Sequence, residues 1–435
     1  MGRNRFASAA WTLAPRLLGL VVASVLCAAL PAGVRAATPV FAERAWVQLT
    51  DRGPEARLVT RSPGCPSITI DGGPRPMQRR AAPSADFPVT VCQARIPAIA
   101  HRAAIGGHPL PLPRAPKRIV IFGDTGCRLK GKAVQACDDP AQWPFAEVAR
   151  LAAGHRPDLV IHVGDYYYRE SPCPAGKAGC AGSPWGDNWT TWDADFFAPA
   201  APLLAAAPWV LVRGNHEDCA RGGEGWFALL DAGAAPLACP ATAAPLAIDV
   251  GRLMLYVLDS SGTDDTSAPP NAVARFAAQL DALKAHPAGA PAWIVTHRPI
   301  WGLAVGKVGP VVAEVPINAT QQAAARGRNL SAVTMVVSGH IHHFASFDFQ
   351  GDRPPQLIVG TGGDVGEKGD SPKFLNDEVS IDGMRARRFG FERYGFLVLD
   401  RTADGWAGAF YDVRDQPIAT CRLARRKLAC RAAVG

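Results

Sequence analysis

The sequence predicts an α/β protein with a smaller β-rich module ahead of it. Three observations carry this. Short apolar runs broken by Pro and Gly, without helical periodicity, fill the first quarter of the chain. From residue 117 onward, compact apolar strands alternate with helical stripes. The strands of that second region stop at polar clusters, where α/β proteins carry their ligand chemistry.

Residues 1–36 stand outside this fold. Arg3, Arg5 and Arg16 precede an apolar run from Leu17 to Leu30 that ends near Val34-Arg35-Ala36, the arrangement of a cleavable secretory signal. A membrane anchor is the competing reading, but the run is shorter than the roughly 20 apolar residues a span needs. No membrane span is therefore expected in the mature form. One of the 11 cysteines, Cys27, lies in the signal. The others, Cys65, Cys92, Cys127, Cys137, Cys173, Cys180, Cys219, Cys239, Cys421 and Cys430, fall as five sequence-neighbour pairs, as local staples in an oxidising compartment do. Spacing leaves the connectivity open, and neighbour pairing is the simplest arrangement. A cysteine metal site would want C-x-x-C spacing, which does not occur. The expected location is secreted or periplasmic.

The formal net charge of +8 falls to +4 when Arg3, Arg5, Arg16 and Arg35 leave with the signal. That excess does not argue for nucleic acid. The basic cluster Arg422, Arg425, Arg426, Lys427 and Arg431 has no interleaved aromatic residues for base stacking and reads as a solvated face.

In the module expected over residues 37–116, Ala45 to Leu49, Ser67 to Ile70 and Phe87 to Val91 are the apolar stretches, and Pro109 to Pro116 reads as a linker. The main domain is expected over 117–435. Lys117 to Phe122 opens it as a strand. Phe145, Val148, Ala149 and Ala152 then recur at helical spacing before a strand at Leu159 to Val163. Further strands are expected at Trp209 to Val212, Leu253 to Leu258, Trp293 to Val295 and Val333 to Val337. Between them, a helix over Asn271 to His286 places Val273, Phe276, Leu280 and Leu283 on one core-facing stripe.

Five polar clusters follow these strands: Gly123-Asp124-Thr125-Gly126, Gly164 to Tyr168, Gly214-Asn215-His216-Glu217, Thr296-His297 and Gly339-His340-Ile341-His342. Each alone is weak, because a Gly-Asp after a strand is often a turn or a helix cap. Together they offer carboxylate, phenol, amide oxygen and imidazole. Iron, manganese and zinc accept these donors, and seven of them suit two ions sharing a bridge.

At these residues the chain resembles the purple acid phosphatases within the calcineurin-like metallophosphoesterases, whose ordered motifs are D-x-G, G-D-x-x-Y, G-N-H-[DE], V-x-x-H and G-H-x-H. The departure is Ile294 in place of Val in the fourth. The resemblance spans roughly residues 117 to 345. It implies a four-layer αββα sandwich, two mixed β-sheets flanked by helices. It also implies a dinuclear centre with Fe(III) bound by Asp124, Tyr168, His342 and a bridging Asp165. A divalent Fe, Zn or Mn would be bound by Asp165, Asn215, His297 and His340. The wider superfamily has D-x-H in the first motif; here Gly126 stands in place of that His and Tyr168 appears instead, so the two differences explain each other.

Tyr166 and Tyr167 compete with Tyr168 on sequence alone. A residue three positions after Asp165 returns to the same side of a helical turn, which favours Tyr168. The implied reaction is hydrolysis of a small-molecule phosphate monoester by hydroxide held on the metals. His216 is the candidate general acid, and Glu217 either orients it or is structural. The insert from Glu170 to Phe197 is either a substrate rim or a stapled surface loop. A manganese or zinc phosphodiesterase of the same superfamily and an exported binding protein with a vestigial site are the rival functions.

Overall fold

The computed structural model describes residues 43–233, 238–287, 290–308, 311–364 and 373–433. The signal expected over 1–36 lies outside them. Glu43–Gly435 forms one compact unit built on two β-sheets. The first sheet has 11 strands. Its middle is parallel, with Arg118–Phe122 beside Leu159–His162 and then Trp209–Leu211. Antiparallel strands Gly395–Arg401, Gly405–Asp412, Pro417–Ala424 and Lys427–Ala432 continue it on one side.

On the other side Arg44–Thr50 pairs in parallel with Trp209–Leu211 and leads through Gly53–Thr60 and Thr90–Arg95 to Gln78–Ala81. Strands from before residue 117 thus extend the main sheet. The burial of Arg44–Thr50 shows why. Trp46 to Thr50 are buried without alternation, as in a strand covered on both faces. Ser67–Ile70, Gly73–Pro76, Ala103–Ile105 and His108–Pro109 form a small separate sheet.

The second sheet has a parallel centre, Met254–Leu258, Ala292–Thr296, Val333–Ser338 and Gln356–Val359. Leu246–Asp249 flanks it on one edge, and Phe344–Phe349, Met384–Phe391 and Leu375–Ile381 on the other. Ile119, Ile121, Ile161 and Val163 of the first sheet share one buried core with Leu255, Val257, Trp293 and Val295 of the second. The other face of the second sheet, at Ile294, Val336 and Ile358, packs with Phe276 and Leu280 of helix Pro270–Asp281 and Ala324 of helix Ala319–Ala325. Each such apolar side chain stabilises the fold by about 1.5–3 kcal/mol on burial.

The expected helical stripe is present, although the helix stops at Asp281 and tightens into a 3₁₀ turn, Ala282–Ala285. On the outer face of the first sheet, Phe122 meets Phe145 of helix Phe145–Gly154 at 6.1 Å, and Trp209 meets Phe196 at 5.7 Å. The layers are therefore helix, sheet, sheet, helix. All five neighbour disulfides form: Cys65–Cys92, Cys127–Cys137, Cys173–Cys180, Cys219–Cys239 and Cys421–Cys430. Among the described residues no helix is long and apolar enough to cross a membrane.

Candidate metal centre

The loops at the strand ends turn sharply, and non-glycine residues take the turns. Asp124, Asp165 and His340 have φ of 60°, 59° and 71°. Such left-handed conformations cost energy in L-residues and persist where surrounding contacts over-determine them. Those contacts are present. The Asp124 and Thr125 amides donate to the carbonyls of Gly164 and Asp165, both at 2.9 Å. The His340 amide donates to both oxygens of Asp124 at 3.1 Å, and the His216 amide to Asp165 Oδ1 at 2.9 Å.

Glu217 braces the same turn. Its Oε2 accepts from the amides of Asp165 and Gly214, and its Oε1 from those of Tyr166 and Tyr167. Its carboxylate is therefore committed to backbone, and among the described residues no hydrogen bond joins it to His216. The glycines serve close approach, as a Cβ on Gly214 would lie 2.0 Å from Asp165 Oδ1.

The structure brings the seven predicted donor residues together around Asp165. Tyr168 Oη lies 2.7 Å from Asp165 Oδ2, 3.2 Å from Asp124 Oδ1 and 3.1 Å from His342 Nε2. On the other side of Asp165, His297 Nε2 lies 3.1 Å from Oδ2 and 3.0 Å from Asn215 Oδ1. Asp165, His297 and His340 each offer a donor atom within 4.8 Å of the others. Of the three tyrosines, only Tyr168 turns its oxygen into this cluster. The Tyr166 hydroxyl accepts from the Val212 amide, and Tyr167 stacks on Trp192 at 6.0 Å.

Residues 165–168 are not a helical turn, contrary to the geometry expected from spacing. Tyr168 reaches the cluster because Asp165 is left-handed and because buried Asp195 accepts from the Tyr168 amide at 2.9 Å. Gly126 makes room, since a Cβ there would lie 2.8 Å from Tyr168 Cδ2.

The electrostatics fit cations. Burial alone would lower the His297 pKa, but Asp165 outweighs it and holds the ring up at about 9. Burial, then Asp165 and Asp124, keeps the Tyr168 phenol well above its usual range. The cluster thus demands more positive charge than the chain supplies. Arg128 lies over the Tyr168 ring at 4.7 Å, but its guanidinium is taken up by Asp364, with Nε 3.0 Å from Oδ1. Carboxylates, a phenol and imidazoles in such a pocket match a pair of multivalent cations.

Three carboxylates that the sequence reading missed stand behind the donors. Asp265 lies 3.1 Å from His340 Nε2, Asp364 3.3 Å from His342 Nδ1, and Glu170 2.5 Å from His216 Nδ1. Asp364 had a readable signal, because Gly360-Thr361-Gly362-Gly363-Asp364 follows strand Gln356–Val359 in the same strand-then-glycine pattern as four of the five clusters. In the insert, Asn188 caps helix Trp189–Trp192, and Asp187 accepts from Trp192 Nε1 at 2.8 Å. Trp189 and Trp192 are buried, whereas Trp185 is half exposed. Most of the insert's polar and aromatic residues therefore hold the loop together.

The described fold matches solved structures. "Structure of PhoD" aligns at TM-score 0.54 with 12% identity, covering 90% of this chain and 92% of that one. A purple acid phosphatase, PPD1, from yellow lupin (Lupinus luteus) seeds aligns at TM-score 0.50 with 14% identity, covering 90% of this chain and 74% of that one. At these identities the likeness concerns the fold. No curated protein matches in sequence. The family model for calcineurin-like phosphoesterases matches residues 117–344, more than half of the chain and the whole stretch that supplies the donors. The chain belongs to the calcineurin-like phosphoesterase family, hydrolases that work with a dinuclear metal centre.

Proposed function

We propose that the protein is an exported phosphatase that hydrolyses small phosphate monoesters at a mixed-valence pair, Fe(III) with a divalent Fe, Zn or Mn. The observation that carries this reading is the placement of Tyr168 Oη between Asp165, Asp124 and His342. A phenolate in that position favours a trivalent ion. Asp124, Tyr168, His342 and Asp165 would hold the iron, and Asp165, Asn215, His297 and His340 the divalent ion. When bound, the two cations neutralise the phosphoryl oxygens and make water a competent nucleophile near neutral pH.

The chain's residues do the rest. Asp165 would be shared by both ions, since its Oδ2 lies 2.7 Å from Tyr168 Oη and 3.1 Å from His297 Nε2. His216 stands against the Tyr168 ring at 4.0 Å and donates a proton to the departing ester oxygen. Glu170 holds the His216 ring from its far side, and Glu217 holds the turn that carries Asp165. The five disulfides and the basic-then-apolar N-terminus support export.

Metal analysis with a visible spectrum, together with turnover of p-nitrophenyl phosphate against bis-p-nitrophenyl phosphate, tests the proposal. Iron near one equivalent, colour and faster monoester cleavage are expected. A colourless manganese or zinc enzyme that prefers the diester would replace this reading with a phosphodiesterase.

A further inference from the structure

Two of the apolar side chains left in water line a groove that also includes His342 of the donor cluster. Among the described residues five large apolar side chains are exposed: Ile99, Trp185, Val305, Phe374 and Leu375. Val305 and Leu375 line one groove, and Phe374 precedes Leu375 in the chain. Val305, 72% exposed, stands on strand Gly302–Val308, and Leu375 opens strand Leu375–Ile381. Phe374 packs 5.6 Å from the ring of Phe391. The groove encloses about 360 Å³, and Leu303, Val305, Ile341, Leu375 and Phe391 line it together with His342. His342 is also the imidazole 3.1 Å from Tyr168 Oη, so the groove runs up to the predicted iron side of the cluster.

Its volume is in the range of pockets that hold small organic ligands. Its charged side chains balance, Arg388 and Lys373 against Glu314 and Glu392. Arg388 is paired with Asp377 at 2.7 Å and Glu314 at 2.5 Å. An apolar wall that begins at a metal-binding residue, with its buried guanidinium paired and no net charge along its lining, favours an apolar group over a second phosphate.

Taking the site as a phosphatase, a reading on which this inference rests, we propose that the groove holds the organic group of the substrate, and that the preferred substrates are phosphate esters of apolar alkyl or aryl groups. A phosphoryl group on the cluster would leave its ester chain against Leu303, Val305 and Leu375, displacing water from surface that otherwise stays exposed. The concave shape and the continuity with His342 favour a single small chain over a lipid surface.

The test uses the metal-loaded wild type with Val305→Asp and Leu375→Asp. Both positions are exposed, so neither substitution buries a charge, and Val305→Ser repeats the measurement without one. The readouts are kcat/KM for ethyl, butyl, hexyl and octyl phosphate below their micelle concentrations, and the Kd of the matching alkylphosphonates by calorimetry.

In the wild type kcat/KM should rise about two- to fourfold per methylene until the groove is filled, with the phosphonate Kd falling in parallel. The variants should show a flatter slope in both series. A flat wild-type series with measurable ethyl phosphate turnover overturns the inference and leaves the phosphatase reading standing, whereas no turnover of any ester overturns both. A slope that the variants leave unchanged also overturns the assignment. So does binding to phosphatidylcholine vesicles that the variants abolish while the monomeric esters show no length dependence, because the patch would then serve a lipid surface.

Discussion

Glu170 sets Oε1 2.5 Å from His216 Nδ1, and Nε2 of the same ring lies 4.0 Å from Asp165 Oδ2. One imidazole nitrogen is thus anchored by a carboxylate while the other faces the donor cluster, the orientation a proton donor to the leaving group needs.

That arrangement has a pH signature. Burial lowers the His216 pKa, while Asp165 and Glu170 pull it back up. Burial raises Glu170, but the contact with His216, helped by Lys130, outweighs it and holds the carboxyl at about 2, so it is ionised throughout the working range. Activity that needs protonated His216 falls as pH rises through the His216 pKa. Glu170→Gln removes a pull upward, so this basic limb should move to lower pH. The metal content should stay unchanged. A kcat profile whose basic limb does not move would remove Glu170 from this role.

Asp265 acts on the other side of the centre. It lies 3.1 Å from His340 Nε2 and is also paired with Arg298, which fixes the ring and leaves Nδ1 for an ion. Asp265→Asn should weaken divalent-ion affinity on the order of 10–100-fold with little effect on the trivalent site. Metal titration followed by elemental analysis measures this. Equal loss of both ions would mean that the substitution acts on the fold instead.

These two carboxylates show where sequence reading stops. The donors themselves were legible because each belongs to a polar cluster that follows an apolar strand, and four of the five clusters open with a glycine, a local pattern. Asp364 obeys the same pattern and could have been read. Glu170 and Asp265 obey none, since their partners are fixed only by the approach of distant loops. The fold divides similarly. The strands between residues 117 and 345 announce themselves by apolar runs, and Arg44–Thr50 is legible as a strand. That it joins the main sheet is not, because its parallel pairing at Gln48 with Trp209 leaves no trace in its own residues. Tyr168 is the subtlest case. Its spacing from Asp165 points to the right residue, but the turn that delivers it is a left-handed loop, which spacing does not encode.

The disulfide Cys219–Cys239 closes a loop just beyond His216, with Arg213 packed against it. Arg213 Nη2 lies 3.3 Å from Cys239 Sγ, Nη1 3.1 Å from Asp259, and Nε donates to the Glu217 carbonyl at 2.9 Å. The double variant Cys219→Ser with Cys239→Ser should lose about 2–4 kcal/mol of stability in denaturant unfolding. The wild type, denatured without reductant after loss of residues 1–36, should show no free thiols. Several titratable thiols would contradict the pairing and the compartment together.

The colour of the protein tests the role of Tyr168 and its dependence on Gly126. A tyrosinate on ferric iron absorbs in the visible through ligand-to-metal charge transfer, and no other donor in the cluster supplies such a band. Tyr168→Phe should abolish it. Tyr166→Phe and Tyr167→Phe should keep it, because the Tyr166 hydroxyl bonds Val212 and Tyr167 stacks on Trp192. Gly126→Ala should weaken or shift it, because the added Cβ would lie 2.8 Å from Tyr168 Cδ2 and from the Tyr168 amide nitrogen, and neither the ring nor the backbone can retreat without moving the oxygen off Asp165. A Gly126→Ala protein with an unchanged spectrum would break the link between the missing side chain and the tyrosine. A wild type that carries iron yet shows no visible band would sink Tyr168 as a ligand while leaving the carboxylates and histidines of the centre in place.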